Sequence, residues 1–377
     1  MTHPVGVLVD THLKQLHREG AITAQTSLDV AQIQPASMDV RLGSKAYRLQ
    51  AGFLPRAGEK VVGYLKGLTM YELDLTQPKI FEKGSVYLVP LQESLNLPEH
   101  IQGSASPKSS TGRLDIFVRL LLDGVPTYDT VPAGYAGPMY MEIAPLTFPI
   151  VARMGDKLAQ IRLRQGGVTL SDAELTTLHE HIPLVHSLGR PLLESSQARI
   201  SNGLWFSIDL HGNPTELNPI IGYRAKHHTQ PIDLVRIGAY PWQPFWEPIR
   251  RNDCTPLILY PEEFYIFASH EGVCIPPNVA AEMVAYDIRI GEIRVHYAGF
   301  FDPGFGYDPK GNRHGTTAVL EVRAHDVPCV LDDGQPVGRF MFEKLLAPVE
   351  KLYGQGIGSN YAGQGLKLAK QFHMDDA

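Results

Sequence analysis

The chain has 377 residues, 44% hydrophobic and 20% charged, ordinary for a globular protein but more than one hydrophobic core usually serves, so two domains are expected. A formal net charge of -6 excludes a protein that coats a polyanion through a global basic field; nucleic acid is not an expected partner, and any anion must be held by a local cluster. Three widely spaced cysteines, Cys254, Cys274 and Cys329, argue against a disulfide framework. With no apolar run near the ~20 residues of a membrane span and no signal-peptide pattern in residues 1–6, a cytoplasmic setting without membrane contact is expected.

In chain order, residues 8–20 carry the first helical signal, with Asp10 as the N-cap candidate and Gly20 closing the segment. Over its whole length, 35 glycines and 29 prolines cut the chain into short pieces. Residues 85–91, 140–143, 264–268 and 318–322 alternate or are rich in β-branched and aromatic side chains, the pattern of a sandwich or barrel with few short helices. The order then repeats. The helical segment returns at 170–179, Ser37-Met38-Asp39-Val40 as Ser207-Ile208-Asp209-Leu210, and Tyr87…Pro98 as Tyr265…Pro276. Tyr140-Met141-Glu142-Ile143 returns as Val319-Leu320-Glu321-Val322, and Gly155 as Gly334. The offset grows from 162 to 179, as it does when insertions fall in loops between preserved elements. A first domain over 1–167 and a second over 168–377 are predicted, with the Pro- and Trp-rich stretch of about 186–256 as an elaboration of the second.

Four stretches of the first copy have a recognisable order. They are Ile33-Gln34-Pro35-Ala36-Ser37-Met38-Asp39-Val40-Arg41-Leu42-Gly43, Lys108-Ser109-Ser110-Thr111-Gly112-Arg113-Leu114, Pro132-Ala133-Gly134-Tyr135-Ala136-Gly137 and Gly155-Asp156-Lys157-Leu158-Ala159-Gln160. Together they resemble the dCTP deaminase and dUTPase superfamily, the first stretch its deaminase branch. The resemblance implies two tandem distorted β-barrel or jelly-roll domains, a homotrimer of such chains with sites at subunit interfaces, dCTP and dUTP as ligands, and dTTP as a candidate inhibitor. It also implies hydrolytic deamination of dCTP to dUTP and ammonia, with a glutamate taking a proton from the attacking water and delivering one to the departing amine.

The residues bear on that chemistry directly. Lys108, Ser109, Ser110 and Arg113 put two cations and two hydroxyls within six residues, the donor set a triphosphate needs; an isolated polar turn is the alternative. Lys108 stands where the family has Arg, which keeps the charge and loses the fork. Glu142 and Glu321 each sit inside an apolar strand, where burial would raise the carboxyl toward the range useful for proton transfer, or alternation would turn it to solvent.

Neither copy is complete. The first has Pro132-Ala133-Gly134 where the family has Asp-Pro-Gly; the second keeps Phe301-Asp302-Pro303-Gly304 but has Val284-Ala285-Tyr286-Asp287 in place of Arg-Ser-Ser, and there Arg289 is the counterpart of Arg113. Tyr353, Asn360 and Gln364 follow the family's closing segment at about 353–366, with Asn360 where lysine is usual, and its glycines suit a mobile lid. Two arrangements stay open: stacked rings of which one is active, or mixed interfaces joining Ser109 and Arg113 of one copy to Glu321 and the tail of the other. The zinc signature of cytidine deaminases is absent, since Pro328-Cys329 has no second cysteine near it. No zinc is expected, and Mg²⁺ is expected only with the triphosphate. The rival expectations are a dUTP pyrophosphatase or bifunctional enzyme, and a nucleotide-binding regulator whose catalysis has lapsed.

Overall fold

A computed structural model describes residues 3–374 except 189–197, 214, 253–255, 286–292, 297–298, 309, 325, 355–360 and 362–363. In the first copy the strand Ala136–Pro145 lies antiparallel between Val86–Asn96 and Ile116–Leu122. Lys45–Leu49 and then Thr69–Asp74 extend that sheet, and Ile22–Ala24 pairs with the far half of Val86–Asn96. A second sheet sets Ala159–Gln165 against Ile101–Pro107, with Gly6–Val7 and Met38–Val40 on its other edge and Thr130–Val131 beyond Ile101–Pro107. Inward residues of both sheets, among them Val89, Met141, Leu120, Ile161 and Leu163, close one core.

The second copy repeats this plan strand for strand. Thr316–Ala324 lies between Tyr265–Val273 and Ile293–His296, extended by Ile220–Ala225 and Trp246–Arg250, while Pro336–Lys344 lies between Leu204–Ser207 and Val279–Ala285. Its own core includes Phe206, Phe267, Leu320 and Phe340. The mainly β, two-copy architecture is the expected one. Among the described residues no helix is long and apolar enough to cross a membrane.

Three details differ from the sequence pattern. Asp10 begins the helix Asp10–Arg18 rather than capping it, Val9 taking the cap position; the Asp10 carboxylate accepts instead from the N–H groups of Thr11 and Glu350, tying down the distant C-terminal segment. Gly20 does close the helix, at φ +77°, where a side chain would be strained.

One repeat match also slips. Arg41 N–H donates to Glu93 Oε2 at 2.7 Å, and Ser207 N–H donates to Glu271 Oε2 at 2.8 Å. Leu42 exchanges backbone bonds with Gly155 and Asp156 as Ile208 does with Gly334 and Gln335. Ser207-Ile208-Asp209 therefore stands over Arg41-Leu42-Gly43, not over Ser37-Met38-Asp39. Hydrogen-bond pairing, not a short string of like letters, sets strand register.

Finally, the stretch of about 186–256 is largely repeat rather than insertion. Leu204–Ser207, Ile220–Ala225 and Trp246–Arg250 stand where Met38–Val40, Lys45–Leu49 and Thr69–Asp74 stand in the first copy. The prolines and tryptophans that suggested an elaboration belong mostly to the connection 226–245 and its flanks. That connection crosses to the first copy: Ile232–Asp233 pairs in parallel with Ile150–Ala152, and Tyr240, Trp242 and Phe245 join the first copy's core with Leu368, Ala369 and Phe372 of the tail.

Buried charge completes the junction. Arg162, wholly buried, reaches from the first copy to Asp302 at 3.0 Å and Glu343 at 2.9 Å. Arg323 of the second copy pairs with Asp115 of the first and donates to Thr147 Oγ1 at 2.9 Å. Such pairs are costly to break singly, because the remaining charge would be buried alone.

Candidate active site

A cavity of about 780 Å³ opens between the copies, and one chain supplies both walls. On the first copy's side the strand Ile101–Pro107 turns into the short helix Ser109–Gly112. That turn is pinned by Lys108 N–H and Thr111 Oγ1, which both donate to the Leu158 carbonyl, at 3.0 and 2.7 Å. The turn brings Lys108, Ser109, Ser110 and Arg113 to the cavity. Ser109 is exposed and Ser110 buried. Lys108 Nζ donates to the buried Asp39 carboxylate. Arg113, only 2% exposed, donates from Nη1 to the Lys367 carbonyl at 2.8 Å and lies 3.9 Å from the Tyr361 ring centroid. Its Nε finds no partner among the described residues. A buried donor left unsatisfied is expensive unless a ligand completes it.

The opposite wall comes from the second copy. Glu321 lies mid-strand in Thr316–Ala324 and is 4% exposed. Burial pushes its carboxyl up to about 8, against the pull of the Arg113 guanidinium. Asp302 is held by Arg162 and, at 3.5 Å, by the Ser37 hydroxyl, and burial raises its carboxyl despite Arg162. Tyr353 is set by its N–H to the Pro303 carbonyl, with its ring 5.6 Å from Phe305. Gln364 Oε1 and Gln371 Oε1 face the cavity wall buried and unpartnered among the described residues. The site thus combines cations and hydroxyls on one side with a carboxyl that burial pushes up on the other. Among the described residues no group of three or more His, Cys, Asp or Glu side chains could hold a metal ion.

Residues 4–167 match the family described as 2'-deoxycytidine 5'-triphosphate deaminase (DCD) N-terminal domain, and residues 171–372 match its C-terminal domain. The chain belongs to the dCTP deaminase family. The crystal structure of 2'-deoxycytidine 5'-triphosphate deaminase from Agrobacterium tumefaciens is similar to it at 46% identity and a TM-score of 0.86, covering 92% of this chain and 100% of that one. Two curated relatives are named dCTP deaminase, dUMP-forming. The protein from Beutenbergia cavernae is 33% identical over 120 residues, 31% of this chain and 58% of that protein. The one from Kocuria rhizophila is 32% identical over 123 residues, 32% and 60% respectively. The chain therefore spans less than two thirds of the length of these curated relatives.

Within this dCTP deaminase family member the structure sorts the expected site residues. Lys108, Ser109, Ser110, Arg113, Asp302, Glu321, Tyr353 and Gln364 meet at one cavity. Arg289 and Asn360 lie outside the described residues. Glu142 is elsewhere: it is 5% exposed, beneath Gly52 and Phe53, and Phe53 N–H donates to its Oε2 at 3.2 Å. Burial raises its carboxyl as well, but the chain covers it. Sequence reasoning assigned no role to Asp39, Lys157 or Gln160, although all three lie in quoted motifs, nor to Tyr361, Lys370 and Gln371, which also line the cavity. Asp39 and Gln160, which stand opposite each other in neighbouring strands, were within reach by asking which polar residues of each motif share a sheet face, whereas Lys157 lies in the turn before Ala159–Gln165. Lys370 and Gln371 sit in a tail with no periodic signal.

Proposed function

We propose that the cavity binds dCTP and removes the amino group from cytosine C4 by hydrolysis. Lys108, Ser109, Ser110 and Arg113 hold the phosphates, Tyr353 and Gln364 close over the nucleotide, and Glu321 moves the protons. Glu321 takes a proton from a water as its oxygen adds to C4 and delivers it to the departing nitrogen, while the second water proton ends on ring N3; the C4–N bond breaks as the C4 carbonyl forms, giving dUTP and ammonia. The observation that carries this proposal is the burial of Glu321 at the same cavity as the Ser-Ser…Arg turn, where the buried Arg113 Nε has no partner among the described residues. A carboxyl near 8 exchanges its proton close to neutral pH, where general acid–base help is worth roughly 10²–10⁴-fold. Arg113 favours the ionised form of the carboxylate, and the exposed Ser109 hydroxyl is a further donor on the same cavity.

Mg²⁺ would arrive with the triphosphate. Two of the cavity's carboxylates, Asp39 and Asp302, are engaged by Lys108 and Arg162, and phosphate oxygens and water would be the ligands of the ion. No step passes through it. The names of the Beutenbergia and Kocuria relatives favour a second reading, in which the nucleotide leaves as dUMP after loss of pyrophosphate. Incubating the protein with dCTP and Mg²⁺, then measuring ammonia and separating the nucleotides, tests both. Ammonia matched by dUTP supports the first, and ammonia with dUMP and pyrophosphate the second. Tight dCTP binding without ammonia would replace both with a regulator.

A further inference from the structure

Of the five lysines that line the cavity, three come from separate parts of the chain: Lys108 after the strand Ile101–Pro107, Lys157 in the turn before Ala159–Gln165, and Lys370 on the tail. Their counter-charges are sparse. Lys108 has the buried Asp39, Lys157 has the exposed Asp29 at 3.6 Å, and Lys370 forms no ion pair among the described residues. The Lys370 ammonium is held below its ordinary range, first by burial and then by repulsion from Lys108 and Lys157, with Asp39 and Asp156 pulling the other way. The Asp156 carboxyl, which burial pushes up to about 6, already accepts the Arg153 N–H at 2.9 Å. Cations that repel one another in a wall partly removed from water are best relieved by an anion placed among them.

The tail is built to hold Lys370 there. Ala369 and Gln371 on either side are buried, Lys370 N–H donates to the Tyr361 hydroxyl at 3.1 Å, and its carbonyl accepts from Gly238 N–H at 2.9 Å. Phe372–His373 pairs in parallel with Tyr240–Pro241. Arg113 donates to the Lys367 carbonyl of the same segment. The backbone that carries Lys370 is thus fixed beside the cavity before any ligand arrives, so only the side chain remains to be ordered on binding.

We propose that Lys370 and Lys157 join Lys108 as the seat of the terminal phosphates, making residues 366–373 a phosphate-binding element as well as a strap across the two copies. This rests on dCTP as the occupant of the cavity. The test uses the full chain carrying Glu321→Gln, so that turnover does not intervene, and measures calorimetric affinity for dCTP, dCMP and inorganic tripolyphosphate. Adding Lys370→Gln should weaken dCTP and tripolyphosphate about tenfold or more, the scale of one hydrogen bond to a charged group. dCMP should change less than about twofold, and Lys370→Arg should restore most of the loss. Lys157→Gln, on a different element, should act in the same direction and serves if Lys370→Gln does not fold. Unchanged dCTP and tripolyphosphate affinity in either folded variant overturns the proposal, as does a parent protein that binds dCTP no more tightly than dCMP. Failure of the deamination itself is separately visible, as no ammonia from the unsubstituted chain, and leaves the tripolyphosphate comparison readable.

Discussion

Glu142 and Glu321 occupy the same place in two copies of one sheet, each mid-strand between the same two neighbouring strands. What separates them is the chain that follows the preceding strand of each sheet. In the first copy, residues 50–68 fold back over the sheet face: Phe53 N–H caps Glu142, Tyr128 Oη holds the Phe53 carbonyl at 3.0 Å, and Tyr64 stacks on Phe53. In the second, residues 226–245 leave their own sheet and pack on the other copy's core, and Glu321 faces the cavity with Arg113. Duplication supplies two equivalent carboxyls, but what covers each one decides whether it can meet a substrate.

The largest effect should come from breaking that pair asymmetrically. Glu321→Gln is expected to lower kcat for ammonia release from dCTP about 10²–10⁴-fold, while Glu142→Gln stays within about threefold. Because the base must be ionised to accept a proton, kcat/KM should rise with pH and level off above about 8. Loss of activity in the Glu142 variant with full activity in the Glu321 variant would invert the comparison.

The strands, the turns and the duplication were legible in the sequence because they rest on local alternation and on glycine and proline. The sequence also singled out Ser109, Ser110 and Arg113 in one copy and Asp302 and Glu321 in the other, and the structure brings these residues to one cavity. The choice between the two glutamates was not legible, since it depends on a segment that is itself hard to read. The helix Val61–Leu68 carries two glycines and two valines, poor helix formers. It forms because Val61, Leu65 and Leu68 pack with Leu49, Leu88 and Tyr140. Likewise nothing local marks Lys370, which reaches the cavity only because Leu368, Ala369 and Phe372 are buried in the other copy's core.

A second matched pair sharpens the same lesson inside the protein. Glu93 and Glu271 are both buried and both accept a backbone N–H at the same ladder position. Glu93 has the Arg41 guanidinium at 2.7 Å and an amide N–H of Gln32 at 2.9 Å; among the described residues the Glu271 side chain has only the hydroxyl and N–H of Ser207. Without a cation, burial pushes the Glu271 carboxyl from 4.5 up to about 7. A folded-state value above the unfolded one means its contribution to stability is complete below about 4.5 and is lost as pH rises through about 7. Glu271→Gln keeps the shape and removes the titration. Relative to the unsubstituted protein, the variant should therefore gain about 2–3 kcal/mol in unfolding free energy between pH 5 and pH 8. Denaturant titrations of both proteins at the two pH values read this directly, and a constant difference would mean that Glu271 is ionised or solvated in the folded state.

The smallest expected effect bears on the cover itself. A Cβ on Gly52 would lie 2.8 and 2.9 Å from the two carboxylate oxygens of Glu142, closer than real contacts allow, and the carboxylate is held in place by Phe53 N–H. Gly52→Ala should destabilise the protein by about 1–2 kcal/mol through overpacking, with ammonia release per folded molecule unchanged within about twofold. Combining it with Glu142→Ala, which removes the clashing carboxylate, should cost less than the sum of the single changes, because the two sites are in contact. Additive costs would show that the cover does not press on Glu142. A fall in kcat with Gly52→Ala alone would show that the closed site of the first copy is mechanically connected to the open site between the copies, and the two glutamates could then no longer be treated as independent.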